Sequence, residues 1–250
     1  MNPSLAQKVI LVTGASSGIG RSTCRELARQ GAFVILLARN EHGIRETMDT
    51  MPAEKCLPLV TDLRDISTLH AHLERARNWQ GSIDGCAYCA GIGGLARLRH
   101  VNPDFMADCM LVNCFAFVEI GRCLTRLKKK DQSLRIVAIS SLASLGYNKH
   151  LVAYAASKAA LEAAAKTMAV ELASRNTTVN VIRPAIVDTP MNFKMMDVVG
   201  DLDKRLKENG YQPLGLIPPE EVAQMVAYLM SEAARHITGA IFPINAGAPC

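Results

Sequence analysis

Aromatic residues are scarce in this chain. They make up 5% of its 250 residues, with a single tryptophan, so Ala, Val, Ile and Leu must fill most of the core. Charge is sparse as well: 20% of residues are charged against 49% apolar, which excludes a disordered chain. No apolar run is long enough to cross a bilayer, and no secretory or transit leader precedes the first strand. Repeats and low-complexity tracts are missing too. What is left is room for one large α/β domain over residues 1–250, and too little for two.

Eight cysteines with no export signal imply free thiols in a reducing cytoplasm. Cys24, Cys86, Cys109, Cys114 and Cys123 lie in apolar periodic segments and read as small buried hydrophobes. Cys86-Ala-Tyr-Cys89 has a CxxC spacing, but it falls on an expected strand, where residues three apart face opposite sides. No second pair completes a zinc site, so no metal is expected. The net charge is +5, and the densest basic run is Arg126-Leu-Lys-Lys-Lys130. Late in a helical stretch, it complements the helix dipole; docking of an acidic carrier or anionic substrate is the alternative. With no aromatic-interleaved basic stripe, nucleic-acid binding is not expected, and neither is membrane binding.

Short apolar strands alternate with amphipathic stretches. The strands are expected at Val9–Thr13, Phe33–Ala38, Cys56–Thr61, Ile83–Cys89, Leu134–Ser140, Thr178–Arg183 and Ala240–Ile244. They lack polar alternation, as parallel strands covered on both faces do. Helices are expected at Gly18–Gln30, Glu41–Met51, Ser67–Trp79, Pro103–Lys129, Val152–Ser174 and Pro219–Glu232. This alternation predicts a single Rossmann-like, doubly wound parallel sheet of about seven strands with helices on both faces. Residues 188–213 fit neither period. With Met191, Phe193, Met195 and Met196, they read as a substrate lid or as an ordinary packed helical excursion.

Two clusters carry chemistry. The first strand runs into Thr13-Gly-Ala-Ser-Ser-Gly-Ile-Gly20. Gly14, Gly18 and Gly20 let backbone amides approach a pyrophosphate, and the next helix aims its N-terminus at the anion. After the second strand stand Ala38 and Arg39 where an acid would bond ribose hydroxyls. An arginine there grips a 2′-phosphate, which favours NADP(H) over NAD(H), unless Arg39 is merely an exposed loop residue. Asp62 suits the adenine amino group; a helix-start acid is its plainer reading.

The second cluster is Tyr154-Ala-Ala-Ser-Lys158, downstream of Ser140-Ser141. Tyr154 and Lys158 share a helix face. The ammonium is expected to lower the phenol's pKa and make Tyr154 a general acid for reduction and a base for oxidation. Lys158 also suits the nicotinamide ribose, and Ser141 the substrate oxygen.

With these motifs the chain resembles a short-chain dehydrogenase/reductase over nearly its whole length. The residues that carry the resemblance are Thr13–Gly20, Asp62-Leu63, Ala90-Gly91, Asn113, Ser141, Tyr154, Lys158, Arg183-Pro184 and Thr189. The resemblance implies a Ser141–Tyr154–Lys158–Asn113 tetrad, with Asn113 helping to hold a proton-relay water, and it selects Ser141 over Ser140. It also implies cofactor contacts from Ser16, Ser17, Ile19, Leu63, Ala90, Gly91, Pro184, Val187 and Thr189. The tail from Gln212 to Val222, with Ile237-Thr-Gly239 and Asn245-Ala-Gly247, is similar to 3-oxoacyl-carrier-protein reductases. Three departures stand out: Tyr88-Cys89 in place of two asparagines, which puts the bracing of the central strands in doubt, Ala185 in place of glycine, and Asn245-Ala-Gly247 itself.

The expected activity is NADP(H)-dependent transfer of hydride between nicotinamide and a carbonyl or secondary alcohol. The substrate is a small molecule or carrier-bound, a 3-oxoacyl thioester first among the candidates. The other readings are a catalytically silent cofactor-binding regulator or scaffold, and epimerisation or dehydration by the same site. Asn148, Lys149 and His150 are placed to read polar substrate groups. The family assembles as dimers or tetramers through its two long helices, here Pro103–Lys129 and the Ala-rich Val152–Ser174.

Overall fold

The computed structural model describes residues 5–146, 148–196 and 201–250. One parallel sheet organises them. Its strands are β1 (Val9–Thr13), β2 (Phe33–Ala38), β3 (Cys56–Val60), β4 (Gly85–Tyr88), β5 (Leu134–Ile139), β6 (Thr177–Pro184) and β7 (Ile241–Ile244), in the order β3-β2-β1-β4-β5-β6-β7. Every pairing is parallel, with Ile10 opposite both Val34 and Gly85 at the centre.

Alternate residues of each inner strand feed two different cores. Val9, Leu11, Ile35, Leu37, Cys86, Tyr88, Leu134 and Ile136 point to one. Ile10, Val12, Val34, Leu36, Ala87, Val137 and Ile139 point to the other. The first core is closed by α3 (Leu69–Gln80), α5 (Ala116–Leu127) and α6 (Val152–Leu172), the second by α1 (Gly18–Arg29), α2 (Glu41–Met48) and α9 (Pro219–Met230). A strand buried on both faces needs no polar alternation, which is why the inner strands read as unbroken apolar runs. The edge strands depart from that reading. Val60 in β3 is 46% exposed, and both β3 and β7 carry a proline, Pro58 and Pro243, that blunts an unpaired edge.

Cys86 and Cys89 fall on opposite sides of the sheet, one in each core. Burial pushes both thiols up. Among the described residues no cluster could hold a metal ion.

Several expected boundaries move. The long helix expected at Pro103–Lys129 is two helices, α4 (Pro103–Met110) and α5, joined by a π-helical turn at Leu111–Phe115. A π turn leaves backbone groups out of step, and its signature is absent from apolar periodicity. Here the buried Tyr88 hydroxyl donates to the Val112 carbonyl oxygen inside that turn. So Tyr88, on a core-facing strand position, braces that turn. The helix expected at Glu41–Met51 stops at Met48, and that expected from Ser67 begins at Leu69 after a tight turn, Ile66–Thr68. Residues 188–213 hold α7 (Pro190–Met196) and α8 (Leu202–Glu208); residues 197–200 lie outside the described residues.

Candidate active site

The strand order reverses between β1 and β4, so the loops leaving their C-terminal ends diverge and open a crevice. A cavity of about 740 Å³ occupies it. Every residue expected to act in catalysis or to contact the cofactor lines this cavity except Asn113.

The nucleotide end is built from backbone. β1 leads into Gly14 at φ 67°, and Ser17 precedes α1 in extended geometry, so the first-turn amides of α1 face the cavity. A Cβ on Gly20 would stand 2.2 Å from the Gly14 carbonyl oxygen, so no other residue lets the turn close. Two braces hold this loop from below. Thr47 Oγ1 donates to the Ala15 carbonyl (2.9 Å), and Arg21 Nη2 donates to the Ser16 carbonyl (2.7 Å) and pairs with Glu46 (2.6 Å). Arg39 is exposed on the rim. Asp62 accepts from the Arg64 amide (2.9 Å) and lies 3.5 Å from its guanidinium, closing a turn rather than starting a helix. The neighbouring Thr61 hydroxyl is buried without a partner on the cavity wall. A glycine cradle at a helix start and an orphaned hydroxyl on the wall of the same cavity fit a dinucleotide.

The reaction end is built from side chains. Ser141 is extended (φ −162°, ψ 152°), and its Oγ accepts from the Ala143 amide (3.2 Å). It also draws the pKa of the Tyr154 phenol down, and both side chains line the cavity. Ser140 donates instead to Glu162 (2.7 Å). Lys158 is 3% exposed, donates to the Ile139 carbonyl (2.8 Å) and lies 5.8 Å from the Tyr154 ring centroid. Burial pushes its pKa down to about 8, against an upward pull from Cys89, Glu162, Cys109 and Cys114.

Lys158 does not lower the Tyr154 pKa as the sequence predicts. Burial pushes the phenol up, and only Ser141 draws it down. The ammonium contacts the Ile139 carbonyl instead of the phenol oxygen, so on the protein's own groups Tyr154 stays a protonated acid.

Asn113 is fully buried in the π turn and does not reach the cavity. Its Oδ1 accepts from the Ile92 amide (2.8 Å), and its Nδ2 donates to the Ile92 carbonyl (2.9 Å) and to Ser157 Oγ (2.8 Å). Ser157 in turn donates to the Tyr154 carbonyl (2.8 Å). Both amide hydrogens are therefore used, and only a lone pair of Oδ1 is left for a water. A Cβ on Gly91 would meet Lys158 Nζ at 3.2 Å and Asn113 Oδ1 at 3.3 Å, so the two groups flank one backbone position.

A second buried amide was missed. Gln212, 0% exposed, clamps Ile186 in the same two-bond way (2.9 and 3.1 Å) and adds the Gly215 carbonyl (3.0 Å). It fixes the loop that carries Pro184, Val187 and Thr189. Glu162 was also missed, although its spacing of four from Lys158 put it on the same helix face. Leu95, Tyr211, Met191, Asn148 and Lys149 form the outer wall, whereas His150 does not line the cavity. Cys89 does line it, with Sγ 3.8 Å from Thr23 Oγ1.

A family model described as enoyl-(acyl carrier protein) reductase matches residues 14–248. The chain belongs to the short-chain dehydrogenase/reductase family. It is 32% identical to the 3-oxoacyl-[acyl-carrier-protein] reductase of Salmonella typhimurium over 98% of each chain. It is 33% identical to that of Pseudomonas aeruginosa, again over 98% of each. Among solved structures, a 3-ketoacyl-(acyl-carrier-protein) reductase from Brucella melitensis complexed with NADH superposes with a TM-score of 0.89. It is 26% identical and covers 98% of this chain and 99% of its own. This short-chain dehydrogenase/reductase is therefore an oxidoreductase that transfers hydride with a nicotinamide cofactor, and nothing favours a catalytically silent scaffold.

Proposed function

We propose that this chain is an NADP(H)-dependent carbonyl reductase acting on an apolar 3-oxo substrate, a 3-oxoacyl thioester first. The observation that carries the reading is the meeting of Ser141, Tyr154 and Lys158 at one end of a cavity whose other end is the glycine loop. Bound NADPH supplies the hydride that the carbonyl carbon receives. Tyr154 Oη gives its proton to the carbonyl oxygen, and the Ser141 hydroxyl steadies that oxygen. Lys158 holds the nicotinamide ribose. Asn113 keeps the loop at Ile92 and the first turns of α6 in register.

Ala38 and Arg39 support NADP(H), since a guanidinium at the rim pairs with a 2′-phosphate and Ala38 carries no carboxylate to repel one. Met191, Leu95 and Tyr211 support an apolar substrate, with residues 188–213 as its lid. Likeness to acyl-carrier-protein reductases favours a thioester. Ala156, Ala159 and Ala163 leave a small-residue face exposed on α6, fit for close approach of a second copy in a homodimer or homotetramer. A cytoplasmic setting suits the free thiols.

The test is oxidation of NADPH and, in parallel, NADH by the purified chain across 3-oxoacyl thioesters, apolar ketones, diketones and sugars. We expect NADPH with a 3-oxoacyl thioester to give the highest kcat/KM. A preference for NADH, or for sugars, overturns the cofactor or the substrate reading respectively.

A further inference from the structure

Glu162 stands two helical turns after Tyr154 and one after Lys158 on α6. It is 8% exposed and does not line the cavity, so it cannot touch substrate. Its carboxylate is nevertheless heavily used. Oε1 accepts from Ser140 Oγ (2.7 Å), Ser144 Oγ (2.7 Å) and Arg183 Nε (2.9 Å), and Oε2 accepts from Arg183 Nη2 (2.6 Å). Burial pushes this carboxyl up, but the bonds from Arg183, Ser140 and Ser144 outweigh burial and hold it below the usual carboxylate range.

The donors come from two loops that both face the reaction end. Ser140 and Ser144 straddle Ser141, one just before it and the other in the tight turn Leu142–Leu145 that Ser141 caps. Fastening Ser140 and Ser144 to Glu162 holds the backbone of Ser141 from both sides. Arg183 ends β6 one residue before Pro184, where the loop Pro184–Val187 begins to line the cavity. One carboxylate thus ties both loops to the helix that carries Tyr154 and Lys158. A largely buried ion pair is poor evidence of stability, since a well-packed apolar pair often does as well. Its value here lies in geometry: four directed bonds converge on one group.

From this geometry we infer that Glu162 is a positioning residue for hydride transfer: through Ser140, Ser144 and Arg183 it fixes the Ser141 hydroxyl against the Tyr154 phenol. The inference rests on the proposed roles of Ser141 and Tyr154.

Two double variants of the full chain separate positioning from stability, each followed by melting temperature, NADPH affinity and kcat with a 3-oxoacyl thioester. Glu162→Met with Arg183→Met removes both charges together, so the melting temperature should stay near wild type while kcat falls about 10- to 100-fold at unchanged NADPH affinity. Ser140→Ala with Ser144→Ala keeps the ion pair and the fold and frees only the Ser141 turn; kcat should fall about tenfold. This second pair decides the matter if the first does not fold. A kcat within about fivefold of wild type in Ser140→Ala with Ser144→Ala overturns the inference, as does recovery of kcat along with melting temperature in the first pair. Tyr154→Phe is assayed alongside. If it keeps turnover, the reading of the reacting pair has failed; if it is inactive while the double variants run at wild-type rates, only the positioning role has failed.

Discussion

The two ends of the cavity are made of different material. At the nucleotide end the wall is main chain: a glycine turn with no room for a Cβ at Gly20, amides of the first turn of α1, and braces from Thr47 and Arg21 that bond carbonyls from below. At the reaction end the wall is side chain: Ser141, Tyr154 and Lys158, seated on a buried network through Asn113, Ser157 and Glu162. A main-chain site recognises a charge that every dinucleotide carries, and shape alone can ruin it. A side-chain site must hold chemically distinct groups within tenths of an ångström, so it depends on second partners that never meet the substrate.

If this division is right, the two ends can be damaged separately. The largest effect is expected for Tyr154→Phe, which removes one hydroxyl at the reaction end. Turnover should fall by about 10²- to 10⁴-fold while NADPH titration gives an unchanged Kd. An equal loss of cofactor affinity would break the division.

Next comes Asn113→Leu. It deletes three buried hydrogen bonds and strands both backbone groups of Ile92, so urea unfolding should show a loss of about 2–5 kcal/mol. The kcat of the remaining folded protein should fall too, since Ser157 and the Tyr154 carbonyl lose their anchor. A stable variant with normal kcat would mean that the clamp is incidental.

Arg39→Ala should do the reverse of Tyr154→Phe. The KM for NADPH rises roughly 10- to 100-fold, that for NADH stays put, and kcat at saturation hardly moves. A parallel rise for both cofactors would show that Arg39 does not read the 2′-phosphate.

The smallest effect is a slope. Lys158 holds its proton only to about pH 8 in the folded chain. In the unfolded chain an ordinary lysine keeps it to about pH 10.4. Between those values the unfolded state binds more protons, so stability contributed at this position rises with pH and is least below about pH 8, where the buried ammonium opposes folding. Lys158→Met lacks that dependence. The stability of wild type minus variant, from urea midpoints at several pH values, should climb across this window; a flat difference would place the titration elsewhere.

The glycine loop, the strand–helix alternation and the Tyr154–Lys158 pair were legible because each is local. A tight turn, a two-sided apolar strand and a four-residue helix spacing are short-range constraints that leave their mark on contiguous residues. Asn113 stood out only by its likeness to a family pattern, and its clamp on Ile92 was invisible, because a π turn has no periodic signature and its partner is 21 residues away. Gln212 looked like part of a common tail. Glu162 was hidden in an Ala-rich helix although its spacing was readable, because nothing local says that strand ends at Ser140 and Arg183 will arrive beside it.

From residue order alone one could read the kind of fold, the place of the glycine turn and the pairing of Tyr154 with Lys158 on one helix face, since each follows from sterics and spacing within a few neighbouring residues. Which serine faces the phenol, what keeps it there and how burial sets the protonation of Tyr154 and Lys158 depend on packing the ends of β4, β5 and β6 around α6. Desolvation and hydrogen-bond direction are properties of that assembled surrounding, and they exist only once distant segments have met.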